Sequence, residues 1–332
     1  MFNIFSKKYS PDQVMMTLSA ITYTSFDSMT ALQNNLDAAE ALKQTYKATW
    51  WAKDGSTLVY VVKNTMNNDY CIAIGGAVIQ FGVAFLFDWY EDLGIAHHTP
   101  LPVNGLEKAK TAAGLPAIIQ RINSLTYNGM TLPQLITNFP KGSKLYITGH
   151  SLGGTLASVY AVQLAASQAA ELEIIPHIFA APSAGNQAFA DLFNPGNSQC
   201  LFPRSSACVN SLDIIPYAWQ DLQGMPAINY GKIKCPIDFT LCVDNLARLL
   251  IIFRAYYEQP PLKQLPGQPD PTNSFFAQAM YQHQPDTYLA LLDLLPIPGT
   301  AFSCKQQMAK TEAEELINNE IPSYEIYSSY TR

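Results

Sequence analysis

Apolar and polar positions follow two different rhythms along this chain, and the way they alternate outlines a fold. Residues 11–23 and 29–46 read as N-terminal helices, the first of them short and amphipathic. A meander follows. Strand-like runs at 48–52, 58–63 and 70–74 are separated by the turn Lys53-Asp54-Gly55 and by a polar turn through Asn67 and Asn68. Gly75-Gly76-Ala77 end the third run. Beyond it, 106–124 reads as a helix, 144–148 as a short buried strand and 155–172 as a helix. A buried strand at 174–179 is closed by Ala181-Pro182, and 200–210 contain another that ends just before Asp213. Residues 260–270 look like a surface excursion. Strands alternating with helices predict an α/β fold with a mainly parallel sheet covered on both faces. No linker, repeat or low-complexity segment cuts the chain, so one domain is expected over 1–332.

Composition narrows the class. Hydrophobic residues make up 48% of the 332, ample for a core, whereas charged residues make up only 14%. Net charge is −6 with no basic run, which argues against nucleic acid as a partner. That low charge count with eleven per cent aromatic residues suits an enzyme of apolar substrates and suits a merely well-packed protein equally. No run reaches the roughly 18 apolar residues that a bilayer span needs. The first residues lack the apolar core of a signal peptide, so a soluble chain is expected, cytoplasmic or exported by another route. The six cysteines form no C-x-x-C pair, which argues against zinc, and reduced thiols are expected, with Cys71 in the core.

Candidate chemistry sits where the 144–148 strand gives way to the following helix. There the chain reads Gly149-His150-Ser151-Leu152-Gly153. A serine in this frame stands on a sharp strand-to-helix turn, the nucleophile elbow, which lifts its hydroxyl clear of the sheet. Glycines two before and two after it matter because a Cβ there would clash as the strand folds back on the helix. Gly154, Ala157, Ser158 and Ala161 give the helix a small face toward the sheet. The pentapeptide alone arises by chance in about one chain in ten of this length. The strand before it and the helix after it single out Ser151. No G-x-x-x-x-G-K-[ST] or G-x-G-x-x-G opens this helix, which argues against a phosphate loop.

A serine hydroxyl needs a base, and the base needs an acid to orient it. In hydrolases with an elbow the chain order is serine, acid, histidine. His97 and His98 precede the serine, His150 lies inside the elbow with its side chain directed away, and His177 reads as a structural mid-strand residue. His283 alone follows both Ser151 and the candidate acids. Asp213, in Asn210-Ser211-Leu212-Asp213-Ile214-Ile215-Pro216, lies just past a strand. On spacing it competes with Asp191, Asp221, Asp238, Asp244, Glu258 and Asp270. An oxyanion needs backbone donors: the N–H of Leu152, and a second from the Gly75-Gly76-Ala77 turn.

Taken in order, these blocks resemble the class 3 lipases, the fungal-type triacylglycerol lipases within the α/β-hydrolases. Residues 144–157 look like that family's T-G-H-S-L-G-G-x-L-A block. Phe179-Ala180-Ala181-Pro182-Ser183-Ala184-Gly185-Asn186-Gln187-Ala188-Phe189 is similar to its F-G-x-P-x-x-G-N-x-x-F block, with Ala180 in place of the usual glycine. Residues 204–216 look like its R-V-x-N-x-x-D-x-V-P block, which places the acid on Asp213. The resemblance covers roughly 58–220 and the neighbourhood of His283. It departs at Gly75-Gly76-Ala77, where the family usually has Arg-Gly-Thr or Arg-Gly-Ser; Ala77 keeps an N–H and lacks the hydroxyl. The V-H-x-G-F block is present only as Val103-Asn104-Gly105-Leu106. Family resemblance puts a lid near 78–87, and 246–257 is a second cap candidate.

The resemblance implies an α/β-hydrolase with a mostly parallel central sheet flanked by helices. It implies hydrolysis of carboxylic esters, above all acylglycerols, by Ser151, His283 and Asp213, with the N–H groups of Leu152 and Ala77 holding the oxyanion. No metal or organic cofactor is expected. The expected partners are the ester substrate and, transiently, a lipid interface. Phospholipase A1, feruloyl esterase and acyltransferase activities are built on the same triad, and the altered oxyanion turn leaves open a non-catalytic binding protein on this fold.

Overall fold

The computed structural model describes residues 9–298, apart from 56, 78–80, 83–84, 168–170 and 271–273. Among these residues the central sheet has seven strands: β1 Tyr46–Asp54, β2 Thr57–Asn64, β3 Tyr70–Ile74, β4 Lys144–His150, β5 Glu173–Phe179, β6 Ser206–Asn210 and β7 Lys263–Leu265. Their order in space repeats their order in the chain. The first three form an antiparallel meander. From β3 onward every neighbouring pair is parallel. The principal helices are α1 Pro11–Ile21, α2 Met29–Ala38, α3 Phe85–Asp92, α4 Leu115–Ser124, α5 Leu152–Ala166, α6 Ile237–Phe253, α7 Phe275–His283 and α8 Pro285–Leu291.

Strand alternation divides the core in two. On β2, Val59 and Val61 join one apolar cluster while Tyr60 and Val62 join the other; on β3, Ile72 and Ile74 part in the same way from Cys71 and Ala73. The first cluster includes side chains of α4, α5 and α6, all within crossovers between parallel strands. Such crossovers are right-handed, and this sheet grows in one direction only, so its connecting helices fall on one face. The other face would be bare. It is covered instead by helices outside the crossovers, α1 and α2 from the start of the chain and α8 from beyond β7.

Helix α1 is fastened at both levels of structure. Ser10 and Gln13 form a reciprocal capping box around Pro11, and the helix buries Met15 through Ile21. From its first turn the Asp12 carboxylate reaches His177 Nδ1 on β5 at 2.9 Å and Lys263 Nζ on β7 at 2.6 Å. Burial alone would raise the Asp12 pKa. Hydrogen bonds from His177, Lys263 and Ser206 outweigh it and hold the carboxyl well below the usual range. His177 is thus structural, as read from the sequence.

Several expected elements change length or kind. The helix expected over 29–46 stops at Ala38, and the chain turns through Gln44, at φ 59°, before β1. The helix expected over 106–124 begins only at Leu115. Lys110–Ala112 instead pairs with His98–Pro100, and Gly114 lies so close to Leu93 that a Cβ would stand 2.9 Å from its backbone. Within 260–270, expected to be a surface excursion, β7 extends the sheet. Cys71, Cys208 and Cys242 are buried thiols, and Cys200 and Cys235 are partly exposed thiols. Cys304 lies outside the described residues, as does the part of the expected single domain beyond residue 298. Among the described residues no helix is long and apolar enough to cross a membrane.

Candidate active site

The turn between β4 and α5 is as sharp as the glycines imply. Ser151 sits at φ 60°, ψ −134°, a conformation that L-residues rarely adopt. A Cβ at Gly149 would stand 2.2 Å from the Gly153 carbonyl oxygen. One at Gly153 would stand 2.3 Å from that of Ile74, on the neighbouring strand. No side chain fits in either place. The Ser151 N–H donates to the Phe179 carbonyl at 2.9 Å, tying the elbow to the end of β5. One residue on, Ala180 takes φ 54°, the left-handed region that favours glycine, at a cost of about 1–2 kcal/mol. That is the position at which the class 3 lipases usually carry glycine.

His283 lies between Ser151 and Asp213. Its Nε2 is 2.8 Å from Ser151 Oγ and its Nδ1 is 2.7 Å from Asp213 Oδ2. All three side chains are buried, Asp213 completely. A buried carboxylate must have its lone pairs met, and here they are. Oδ1 accepts the Ile215 N–H at 2.9 Å, while Oδ2 accepts the Tyr288 hydroxyl at 2.8 Å as well as the imidazole. Of the competing acids, none is in contact with His283 among the described residues.

Three residues that the sequence reading missed hold this arrangement. Tyr288 of α8 also accepts the Asn210 N–H at 2.9 Å, joining the end of β6 to the acid it presents. Burial, reinforced by the charge of Asp213, pushes the Tyr288 pKa well up, so the hydroxyl remains a donor. Asn210 Nδ2 in turn donates to the backbone oxygen of Gln282 at 2.9 Å and to its side-chain oxygen at 2.7 Å. Acid and base are therefore clamped through their chain neighbours as well as directly. The His150 ring packs 4.8 Å from that of His283.

The Gly75-Gly76-Ala77 turn lies against the elbow, since a Cβ on Gly153 would also meet Gly75 C and Gly76 N, both at 2.8 Å. Leu152 opens α5, and the first N–H groups of a helix have no intrahelical acceptor. Of the expected lid at 78–87, residues 78–80 and 83–84 lie outside the described residues. Phe81 is buried with its ring 5.8 Å from that of His283 and 5.1 Å from that of Phe85. Phe85 in turn stacks 6.2 Å from Phe239 of α6. The other cap candidate, 246–257, is the later part of α6 and its exit, where Ile251, Ile252, Phe253 and Tyr256 are exposed.

An α/β-hydrolase sheet, an elbow serine and an adjoining histidine–carboxylate pair define the class as serine ester hydrolases. Residues 82–221 match the family model for Lipase (class 3). Among solved structures, M37 lipase matches over 88% of this chain and 97% of its own, at 22% identity and a TM-score of 0.75, showing the same fold. The triacylglycerol lipase from Penicillium expansum overlaps more loosely, at 19% identity and a TM-score of 0.45, over 78% of this chain and 80% of that one. Lipase II from Rhizopus niveus is 19% identical over 62% of this chain and 73% of that one, with a TM-score of 0.47. No curated protein sequence matches the chain.

Proposed function

We propose that this ester hydrolase cleaves acylglycerols at a lipid–water interface through an acyl-enzyme on Ser151. One observation carries the reading: the His283 imidazole lies within hydrogen-bond reach of both Ser151 Oγ and Asp213 Oδ2, at 2.8 and 2.7 Å. Ser151 Oγ attacks the ester carbonyl as its proton passes to His283 Nε2. The oxyanion rests on the N–H groups of Leu152 and Ala77, whose value lies in being fixed before charge develops. Collapse of the tetrahedral adduct expels the alcohol, which takes the proton from His283 and leaves the acyl group on Ser151. Water then attacks that ester, giving its proton to His283. The second adduct releases the fatty acid and returns the proton to Ser151. Asp213 accepts from Nδ1 throughout and stabilises the imidazolium.

The aromatic series Phe81–Phe85–Phe239 beside His283 favours a long apolar acyl group over a polar acid. Exposed Ile251, Ile252 and Phe253 favour contact with a lipid surface. A fluorophosphonate probe should label the wild type and not Ser151→Ala; an unlabelled wild type would overturn the mechanism. Hydrolysis should be faster on emulsified triolein than on phosphatidylcholine or methyl ferulate. A preference for either of the others replaces the acylglycerol assignment with a phospholipase A1 or a feruloyl esterase.

A further inference from the structure

Tyr23, two residues beyond the end of α1, meets the elbow at His150. Its hydroxyl lies 3.0 Å from His150 Nδ1 and 3.2 Å from the His150 carbonyl oxygen, both on the residue just before Ser151. Over the same hydroxyl lies Gly76. A Cβ built there would stand 2.4 Å from Tyr23 Oη, 2.6 Å from the His150 carbonyl oxygen and 3.3 Å from Gly153 N. The middle residue of the proposed oxyanion turn thus rests on the hydrogen bond between phenol and elbow, with no side chain between.

That contact matters because, beyond its backbone packing on Gly153, the turn carries no polar side chain of its own to fix it. Gly75 donates to the Leu58 carbonyl at 2.8 Å and is anchored by β2. Gly76 has no side chain, and Ala77 lacks the hydroxyl that the class 3 lipases usually place there. An oxyanion donor is useful only within about 2.7–3.1 Å of the developing charge, so a backbone-only hole depends on what its backbone leans against. Tyr23 is suited to the task. It is half-buried, and burial pushes its pKa up, so its hydroxyl stays a neutral donor. His150 is buried among the rings of Tyr23, Tyr288 and His283, at 5.5, 5.3 and 4.8 Å. Burial, and then the charge on His283, hold the His150 pKa well below the usual imidazole value. No second cation therefore stands beside His283 when it takes the serine proton.

We propose that Tyr23 is a positioning residue whose hydroxyl sets the gap between the Gly75-Gly76-Ala77 turn and the nucleophile elbow, and with it the spacing of the Ala77 and Leu152 donors. The inference rests on the ester-hydrolase mechanism above and names a part of it that the triad does not contain. Tyr23→Phe keeps the ring and removes the hydroxyl. On p-nitrophenyl butyrate, kcat should fall about tenfold, a fraction of the effect of deleting a donor outright, with KM within twofold. The inhibition constant of an alkylboronic acid, which forms a tetrahedral adduct on the serine, should rise by the same factor. The fraction of protein titrated to completion by a fluorophosphonate should stay at the wild-type level. Gly76→Ala, which presses on the same hydroxyl from the other side, should weaken boronate binding likewise. The proposal is overturned if Tyr23→Phe leaves kcat and boronate affinity within twofold of wild type. It is equally overturned if a smaller titratable fraction accounts for all the lost activity. A wild type that neither turns over the ester nor titrates would instead bring down the hydrolase mechanism, and this inference with it.

Discussion

Replacing Tyr288 by phenylalanine removes a single oxygen from beside the acid and leaves the ring, and the rest of the fold, in place. That oxygen accepts the Asn210 N–H at 2.9 Å and donates to Asp213 Oδ2 at 2.8 Å. A hydrogen bond to a buried charge contributes about 1.5–3 kcal/mol, and an orphaned buried N–H costs about 1–3 kcal/mol. The two overlap, because relaxation around Asn210 eases both, so about 3 kcal/mol is expected for the substitution. At about 2.1 cal/mol/K of unfolding entropy per residue, which is about 1.4 °C per kcal/mol for a chain of 332 residues, Tm should fall by about 4 °C. Catalysis should suffer less than stability. Asp213 keeps the Ile215 N–H on Oδ1 and its contact with His283, so the acid remains but is free to swing. A loss of about tenfold in kcat is expected, against the roughly 10⁴-fold that follows when such an acid is neutralised. Thermal melts followed by circular dichroism and initial rates on p-nitrophenyl butyrate measure both. A variant melting within 2 °C of wild type, with kcat within twofold, would refute the claim that this hydroxyl steadies the acid.

Asp12→Asn tests the fastening of α1, far from the chemistry. A carboxyl whose folded pKa is depressed stabilises fully above its unfolded value of about 3.9 and loses that contribution as pH falls below it. Between pH 6 and pH 2 the wild type should therefore lose about 2–3 kcal/mol more than the variant, read from urea midpoints; parallel curves would refute the assignment. Gly153→Ala drives a Cβ to 2.3 Å from the Ile74 carbonyl oxygen, so backbone must move, and a loss of more than about 3 kcal/mol should appear in the melting curve. A thiol reagent applied to the folded protein should modify the partly exposed Cys200 ahead of Cys71 and Cys208; burial pushes both buried thiols up, Cys208 to about 11. Peptide mapping by mass spectrometry gives the order.

Legibility in the sequence followed the range of the interactions concerned. The elbow is a local steric statement, made by glycines two residues either side of Ser151, and it is read in full from five letters. Asp213 and His283 are read through chain order and family blocks. What holds them is not. Asn210 reaches Gln282 across 72 residues and Tyr288 reaches Asp213 across 75, and neither contact leaves a periodic or compositional trace. Strand β7 was hidden for a related reason. Three residues after a run of prolines show no alternation, and they are a strand only because β6 offers them hydrogen bonds. The overlong helices at 29–46 and 106–124 have the opposite cause. Helix-forming composition continues past the point where a tertiary contact, such as Gly114 against Leu93, stops the helix. Tyr23 belongs with the long-range class, since it meets the elbow across 127 residues.

The agreement between strand order in space and in the chain bears on how the protein is made. Each parallel strand joins the sheet at the edge left by the one before, so a chain emerging from the ribosome can extend the sheet without threading or reordering. Ser151 is laid down by the fourth strand, and its acid follows the sixth. The imidazole that joins them lies at the end of α7, past the last strand among the described residues, and the phenol that braces the acid comes five residues later still. A partly synthesised chain can thus hold a folded sheet with an exposed serine and remain chemically silent. Among the described residues, hydroxyl, carboxylate and imidazole come together only once the chain has run past its last strand.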